Sequence, residues 1–171
     1  MTQLSASAPG WKRRDAPVSI LGAGGAARAI AYGFLEAGVG EVRVFNRSRE
    51  RADALAATLG PRVKVYDWEQ RSARSQDAAV IVNATSLGLK RQGSPDVDFA
   101  NFDAACIVAD IVYVPLATDF LKAAQRRGLK TVDGLGMLLH QAVPGFEKWF
   151  GVRPEVTDKL YRHIAATIES V

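Results

Sequence analysis

A chain of 171 residues, 48% apolar and 23% charged, is long enough for one domain with its own core and too apolar to stay disordered. Its net charge of +4 suits an anionic small molecule, but the charge is too small and the arginines too scattered to point to nucleic acid. The lone Cys106 and the two histidines fall in no metal-binding spacing, and no apolar run approaches the roughly 18 residues of a membrane helix.

Residues 1–16, MTQLSASAPGWKRRDA, have no apolar signal core and read as a linker or the remnant of a preceding helix. From Pro17 onward strands and helices alternate. VSIL (18–21) is a short buried strand, and 26–37 is a helix stopped by Gly38 and Gly40. EVRVFN (41–46) alternates as a second strand. The helix over 48–60 has Ser48 as N-cap and Gly60 as its end. RVKVY (62–66) is a third strand. AAVIVNAT (78–85) is a fourth, buried on both faces because its apolar run is nearly continuous. ACIVADIVY (105–113) contains a fifth, with Cys106 inside it as a buried strand residue. A cysteine with no partner fits a reducing, cytoplasmic compartment. A helix over 117–128 and a sixth strand, KTVD (130–133), complete the alternation.

Such alternation predicts an α/β fold, a doubly wound parallel sheet of the Rossmann type, over 17–135. The remainder, 136–171, reads as helices only. The last helix places Val156, Leu160, Ile164, Ile168 and Val171 on one stripe, with Pro154 in its first turn. That stripe has to be covered by this sheet, by another domain or by a second copy of the chain.

Three motifs sit at strand ends. GAGGAA (22–27) joins the first strand to the first helix, the context in which a glycine-rich loop reads as a dinucleotide site. Gly22 permits the tight turn, Gly24 and Gly25 leave room for a pyrophosphate, and Ala27 lets the helix pack closely. The alternative is a small-residue turn made only for packing. After the second strand, where an NAD site carries an acid, stands Asn46-Arg47-Ser48 followed by Arg49 and Arg51. Guanidinium groups clamp a 2′-phosphate, so NADP is the cofactor expected, with Arg47 and Arg51 as the clamp; the alternative is an exposed basic face. VNATSLGL (82–89) ends the fourth strand and sets Asn83, Thr85, Ser86 and Gly88 to line the cleft, unless it is only a capped turn.

The blocks GAGGAAR, NRS with Arg51, NATSLGL, DIVYVPLATDFL and DGLGMLLHQA, in that order, resemble the shikimate dehydrogenase family from about Trp11 to the C-terminus. The resemblance implies NADPH-dependent reduction of 3-dehydroshikimate to shikimate in aromatic amino-acid biosynthesis. It implies a pyrophosphate site at Gly22, Ala23, Gly24, Gly25 and Ala26, and Asn46 and Ser48 beside the arginine clamp. It places Gly134 and Met137 near the nicotinamide, and Tyr113 and Gln141 toward the substrate. Ser48 and Leu89 depart from the usual threonine and methionine. The family's substrate domain, with its Ser-x-Ser and catalytic Lys and Asp, has no counterpart in these residues, so no catalytic residue is assigned here and the chain alone is expected to be inactive. The alternatives are a quinate/shikimate dehydrogenase of broader specificity, or an NADP-sensing module without catalysis. No metal, nucleic acid or membrane is expected, and self-association through the last helix is.

Other residues read as structural. His163 is expected in solvent and His140 in a packing role. Phe146, Trp149 and Phe150 are expected in core or interdomain contact, Tyr32 and Phe34 in packing, and Asp110 and Asp119 in turn and cap roles.

Overall fold

The computed structural model describes residues 2–11 and 15–169. All six expected strands form: β1 (Val18–Leu21), β2 (Val42–Phe45), β3 (Val63–Tyr66), β4 (Val80–Asn83), β5 (Ile107–Asp110) and β6 (Lys130–Val132). They pair in the order β3-β2-β1-β4-β5-β6, and every pairing is parallel. Parallel neighbours need long crossovers. The helices α2 (Gly25–Glu36), α3 (Arg49–Leu59) and α4 (Asp119–Arg126) supply those after β1, β2 and β5, following a short α1 (Thr2–Ser7). The chain winds outward from β1 to β3, then returns to the other side of β1. The loops after β1 and β4 diverge there and open a crevice at the strands' carboxyl ends.

Alternation along β1 sends Val18 and Ile20 to one face and Leu21 to the other. The first face packs on α2 and α3 through Ala27, Ala31, Phe34 and Leu55. The second is covered by Phe120 and Leu121 of α4 and by Phe99 and Phe102 from the segment after β4. Cys106 is buried in that second layer.

α1 and a 3-10 turn at Pro9–Trp11 fold onto the first face, where Trp11 is buried and meets Phe34 edge-on at 5.4 Å. Tyr32, expected to pack, is instead exposed, because its place on α2 turns away from the sheet that Phe34 faces.

Two helices close the chain, α5 (Leu135–Phe150) and α6 (Asp158–Glu169). Thr157 accepts the Leu160 N–H at 3.2 Å and so caps α6. Pro154 and Val156 therefore lie ahead of the helix, not in it, and Val171 lies outside the described residues. α6 folds back beside α5, and the Tyr161 hydroxyl donates to Asp133 Oδ2 at 2.7 Å. Burial, then the bond to Asp133, raises the Tyr161 phenol above its ordinary value, so it keeps its proton and keeps donating. Ile164 and Ile168 are half-buried by this fold-back, and Leu160 remains exposed. The larger apolar surface lies at the end of α5. Phe146, Trp149 and Phe150 stand in solvent there, with Trp149 81% exposed, and form no core.

At the β6–α5 junction a Cβ on Gly134 would lie 2.5 Å from the Ile111 carbonyl oxygen and 2.8 Å from that of Val112. Backbone cannot yield as a side chain does. Gly134→Ala is expected to destabilise the fold by about 2–3 kcal/mol, read as a lower urea midpoint at unchanged m-value.

Candidate functional site

The glycine loop contains two kinds of glycine. Gly22, at φ +112, donates its N–H to the Phe45 carbonyl at 2.7 Å. A Cβ there would lie 2.9 Å from the Ala84 carbonyl oxygen and 3.2 Å from Thr85 Cγ2, so the protein's own packing requires glycine. Gly24 and Gly25 are different. Neither has a left-handed backbone, and a Cβ on either would meet nothing within 4 Å. The fold does not need them bare; they keep the ground in front of α2 clear. Gly24 is the N-cap of α2 and brings no side chain to its free N–H groups, which with the helix dipole favour an anion. Ala23 is half-buried and Ala26 exposed at this site, while Ala27 is buried against the sheet.

At the start of α3, Asn46 Nδ2 donates to the Ser48 carbonyl at 2.8 Å and shapes the bend out of β2. Ser48 holds the N-cap position, but its hydroxyl makes no capping bond, so it caps by backbone alone. The basic run divides. Arg49 is paired with Asp53 at 3.1 Å and with Asp67 at 3.0 Å. Arg47 and Arg51 are exposed and make no ion pair or hydrogen bond through their side chains among the described residues.

The loop after β4 is built on Asn83, which is fully buried and presents nothing to the cleft. Every polar atom of its side chain is engaged within the fold. Its Nδ2 donates to the Leu87 carbonyl and to Asp110 Oδ1, both at 2.9 Å. Its Oδ1 accepts from the Thr85 N–H at 3.1 Å and from Thr85 Oγ1 at 2.7 Å. What the loop presents is half-buried Thr85 and exposed Ser86, before Gly88 turns the chain at φ +99.

Asp110, expected only in a turn, is a buried hub at the end of β5, opposite Asn83 in the sheet register. It also accepts from the Val112 N–H at 2.9 Å and from Thr118 Oγ1 at 2.7 Å. Thr118, not Asp119, caps α4, accepting the Leu121 N–H, while Asp119 pairs with Lys122. Burial pushes the Asp110 carboxyl up to about 6, against the lowering effect of its hydrogen bonds from Val112, Thr118 and Asn83. The signal for this hub was an acid closing an otherwise apolar strand, IVAD.

A pocket of 320 Å³ opens beside the loop, at the ends of β4, β5 and β6. It brings Ala26 together with Met137 and Gln141, and Asp110 and Asp133 also reach it. Gly134 is buried at its edge, and Tyr113, half-buried, is not in its lining. His140 is half-buried and His163 exposed. Among the described residues no group of His, Cys, Asp and Glu could hold a metal ion, and no helix is long and apolar enough to cross a membrane.

Residues 5–113 match the family model for shikimate/quinate 5-dehydrogenase, and residues 134–158 that for the shikimate 5'-dehydrogenase C-terminal domain. The chain is 51% identical to a shikimate dehydrogenase (NADP(+)) of Azorhizobium caulinodans, over 98% of this chain and 60% of the relative. It is 53% identical to the same-named protein of Paramagnetospirillum magneticum, over 92% of this chain and 57% of the relative. Among solved structures it matches the shikimate 5-dehydrogenase of Thermus thermophilus in complex with NADP(H) and shikimate, at TM-score 0.78 and 35% identity, over 98% of this chain and 59% of that one. It also matches the quinate dehydrogenase of Corynebacterium glutamicum in complex with NAD, at TM-score 0.83 and 30% identity, over 99% and 60%. The chain thus spans about 60% of the length of the curated relatives it matches.

The Asp110 value sets a pH dependence. Its folded carboxyl, at about 6, lies above the ordinary 3.8, so between these values the native state holds more proton than the unfolded chain. Stability from this group therefore falls as pH rises from about 4 to about 6 and is flat above, a change on the order of 3 kcal/mol. Urea titrations across that range are expected to show the slope, and Asp110→Asn to remove it.

Proposed function

The chain belongs to the shikimate/quinate 5-dehydrogenase family, and from that premise we propose that it is the cofactor-binding part of an NADP-dependent shikimate dehydrogenase. One observation carries the reading: the clear ground at Gly24 and Gly25 lies in front of α2, and two unpaired guanidiniums stand at the neighbouring start of α3. A pyrophosphate fits the first and a 2′-phosphate the second. In the whole enzyme NADPH would supply the hydride that reduces 3-dehydroshikimate to shikimate.

The residues divide the work as follows. The backbone from Gly22 to Ala26 receives the pyrophosphate. Arg47 and Arg51 take the 2′-phosphate, with Asn46 and Ser48 holding the bend beneath them. Thr85, Ser86 and Gly88 form the wall of the cleft, which Asn83 shapes from behind. Met137, above Gly134, borders the nicotinamide side, and Tyr113 and Gln141 face the substrate. NADP is favoured over NAD because β2 is followed by Asn46, whose amide is spent on the Ser48 carbonyl, and not by an acid that would hold the ribose hydroxyls.

Residues 17–135 form the nucleotide-binding unit in this reading, joined by Trp11 and its neighbours in the core. The exposed end of α5, with Phe146, Trp149 and Phe150, would meet a substrate-binding domain such as the longer relatives have room for, or else a second copy of the chain. Carbonyl reduction needs a proton donor at the oxygen. The described lysines are all exposed, and none stands in the pocket with Met137 and Gln141.

Calorimetric titration of the chain is expected to show NADP binding and weaker NAD binding. Arg47→Ala should weaken NADP by about 10- to 100-fold, the worth of a charged hydrogen-bonded pair, and leave NAD unchanged. Equal loss for both cofactors would sink the 2′-phosphate assignment. The same 171 residues, given shikimate and NADP, are expected to give no absorbance change at 340 nm above background; turnover at an enzyme's ordinary rate would place the catalytic groups within this chain.

A further inference from the structure

The buried hub at Asp110 stands between the two loops that the reading above assigns to cofactor and substrate. Every partner of its carboxylate is a donor: Asn83 Nδ2, the Val112 N–H and the Thr118 hydroxyl. On one side the chain of bonds runs on through Asn83 Oδ1 to the N–H and hydroxyl of Thr85, and from Thr85 Oγ1 to the Leu87 N–H at 3.1 Å. Thr85 in turn presses its methyl group toward Gly22 in the glycine loop. On the other side the Val112 N–H fixes the backbone next to Tyr113. A second tie joins the same loops, the Lys90 N–H to the Val114 carbonyl at 3.0 Å. The three bonds at Asp110 are buried, so a break there leaves polar groups unpaired away from water.

We infer that Asp110 is a positioning residue that couples the two sides of the cleft: through Asn83 it holds Thr85 and Ser86 against the glycine loop, through Val112 it holds the Tyr113 segment, and order gained on one side by bound cofactor passes to the other. The inference rests on the NADP reading. It assigns Asp110 no contact with either ligand. Its work is to make cofactor binding preorganise the substrate side.

Amide hydrogen exchange on the 171-residue chain, with and without saturating NADP, tests this. In the parent, NADP is expected to slow exchange at Thr85–Leu87 and also at Ile111–Tyr113. In Asp110→Ala the first response should survive, the second should vanish, and NADP affinity should fall about tenfold. Asp110→Asn retains an oxygen for Asn83 and Val112 and should rescue both. Thr118→Val removes the α4 cap without touching the Asn83 branch, so it should lower stability and leave both responses intact. Should Asp110→Ala not fold, Thr85→Val keeps the methyl beside Gly22, removes the hydroxyl's bonds to Asn83 and Leu87 and leaves only the Thr85 N–H on Asn83, so the Ile111–Tyr113 response should fall about twofold. An undiminished Ile111–Tyr113 response in the cut variants would overturn the coupling while leaving the NADP reading in place. If the parent binds no NADP, the NADP reading fails instead. The hub is then judged without ligand: the cut variants must speed exchange in both segments together, and unchanged rates would overturn it.

Discussion

Where β1 and β4 end side by side, the loops that follow them are in contact, and Gly22 lies so near the Ala84 carbonyl that no side chain fits between. The architecture of the cleft hangs on this approach. It is made at the point where the strand order reverses, so the two loops must separate immediately afterwards, one into α2 and the other toward Thr85 and Ser86. A larger residue at 22 would push the loops apart and widen the floor of the crevice. Close contact at the floor and clear space at Gly24 and Gly25 above it are two halves of one arrangement.

Charge is distributed with the same economy. The central strands β1, β4 and β5 are largely buried and mostly apolar. Asn83 and Asp110 stand at the carboxyl ends of β4 and β5, where they fix loop shapes. Free charge is kept for the rim. Arg49 is neutralised by two carboxylates, whereas Arg47 and Arg51 make no ion pair among the described residues. An anion arriving there meets guanidiniums and a helix N-terminus whose donors are already oriented, so little order has to be created on binding.

The C-terminal helices differ from the sheet in how they are held. α6 is pinned by one phenol–carboxylate bond and partial burial, and none of its residues is fully buried. The aromatic end of α5 leaves Phe146, Trp149 and Phe150 exposed side by side on one helix end. This surface and the crevice lie on the parts of the molecule that its longer relatives share with it. The sheet is covered on both faces, whereas Phe146, Trp149 and Phe150 at the end of α5 are exposed.

Much of this was legible in the residues taken in order. Strand and helix periods, the helix-ending glycines and the glycine loop after VSIL are local features, set by backbone conformations a few residues long, and the structure follows them closely. The basic run after β2 was legible as a run, though not as a division of labour, since Arg49 finds Asp67 only once β3 lies beside β2. The Asn83–Asp110 bond spans 27 residues and exists because parallel register sets the ends of β4 and β5 opposite each other. The same holds for the bond between Tyr161 and Asp133, which spans 28 residues. The sequence by itself determined the elements, their turns and the chemical character of each strand end. Only the tertiary structure decided which polar groups are consumed inside the fold and which are left free for a ligand, because that depends on neighbours that pairing and packing bring together, not on the chain's local period.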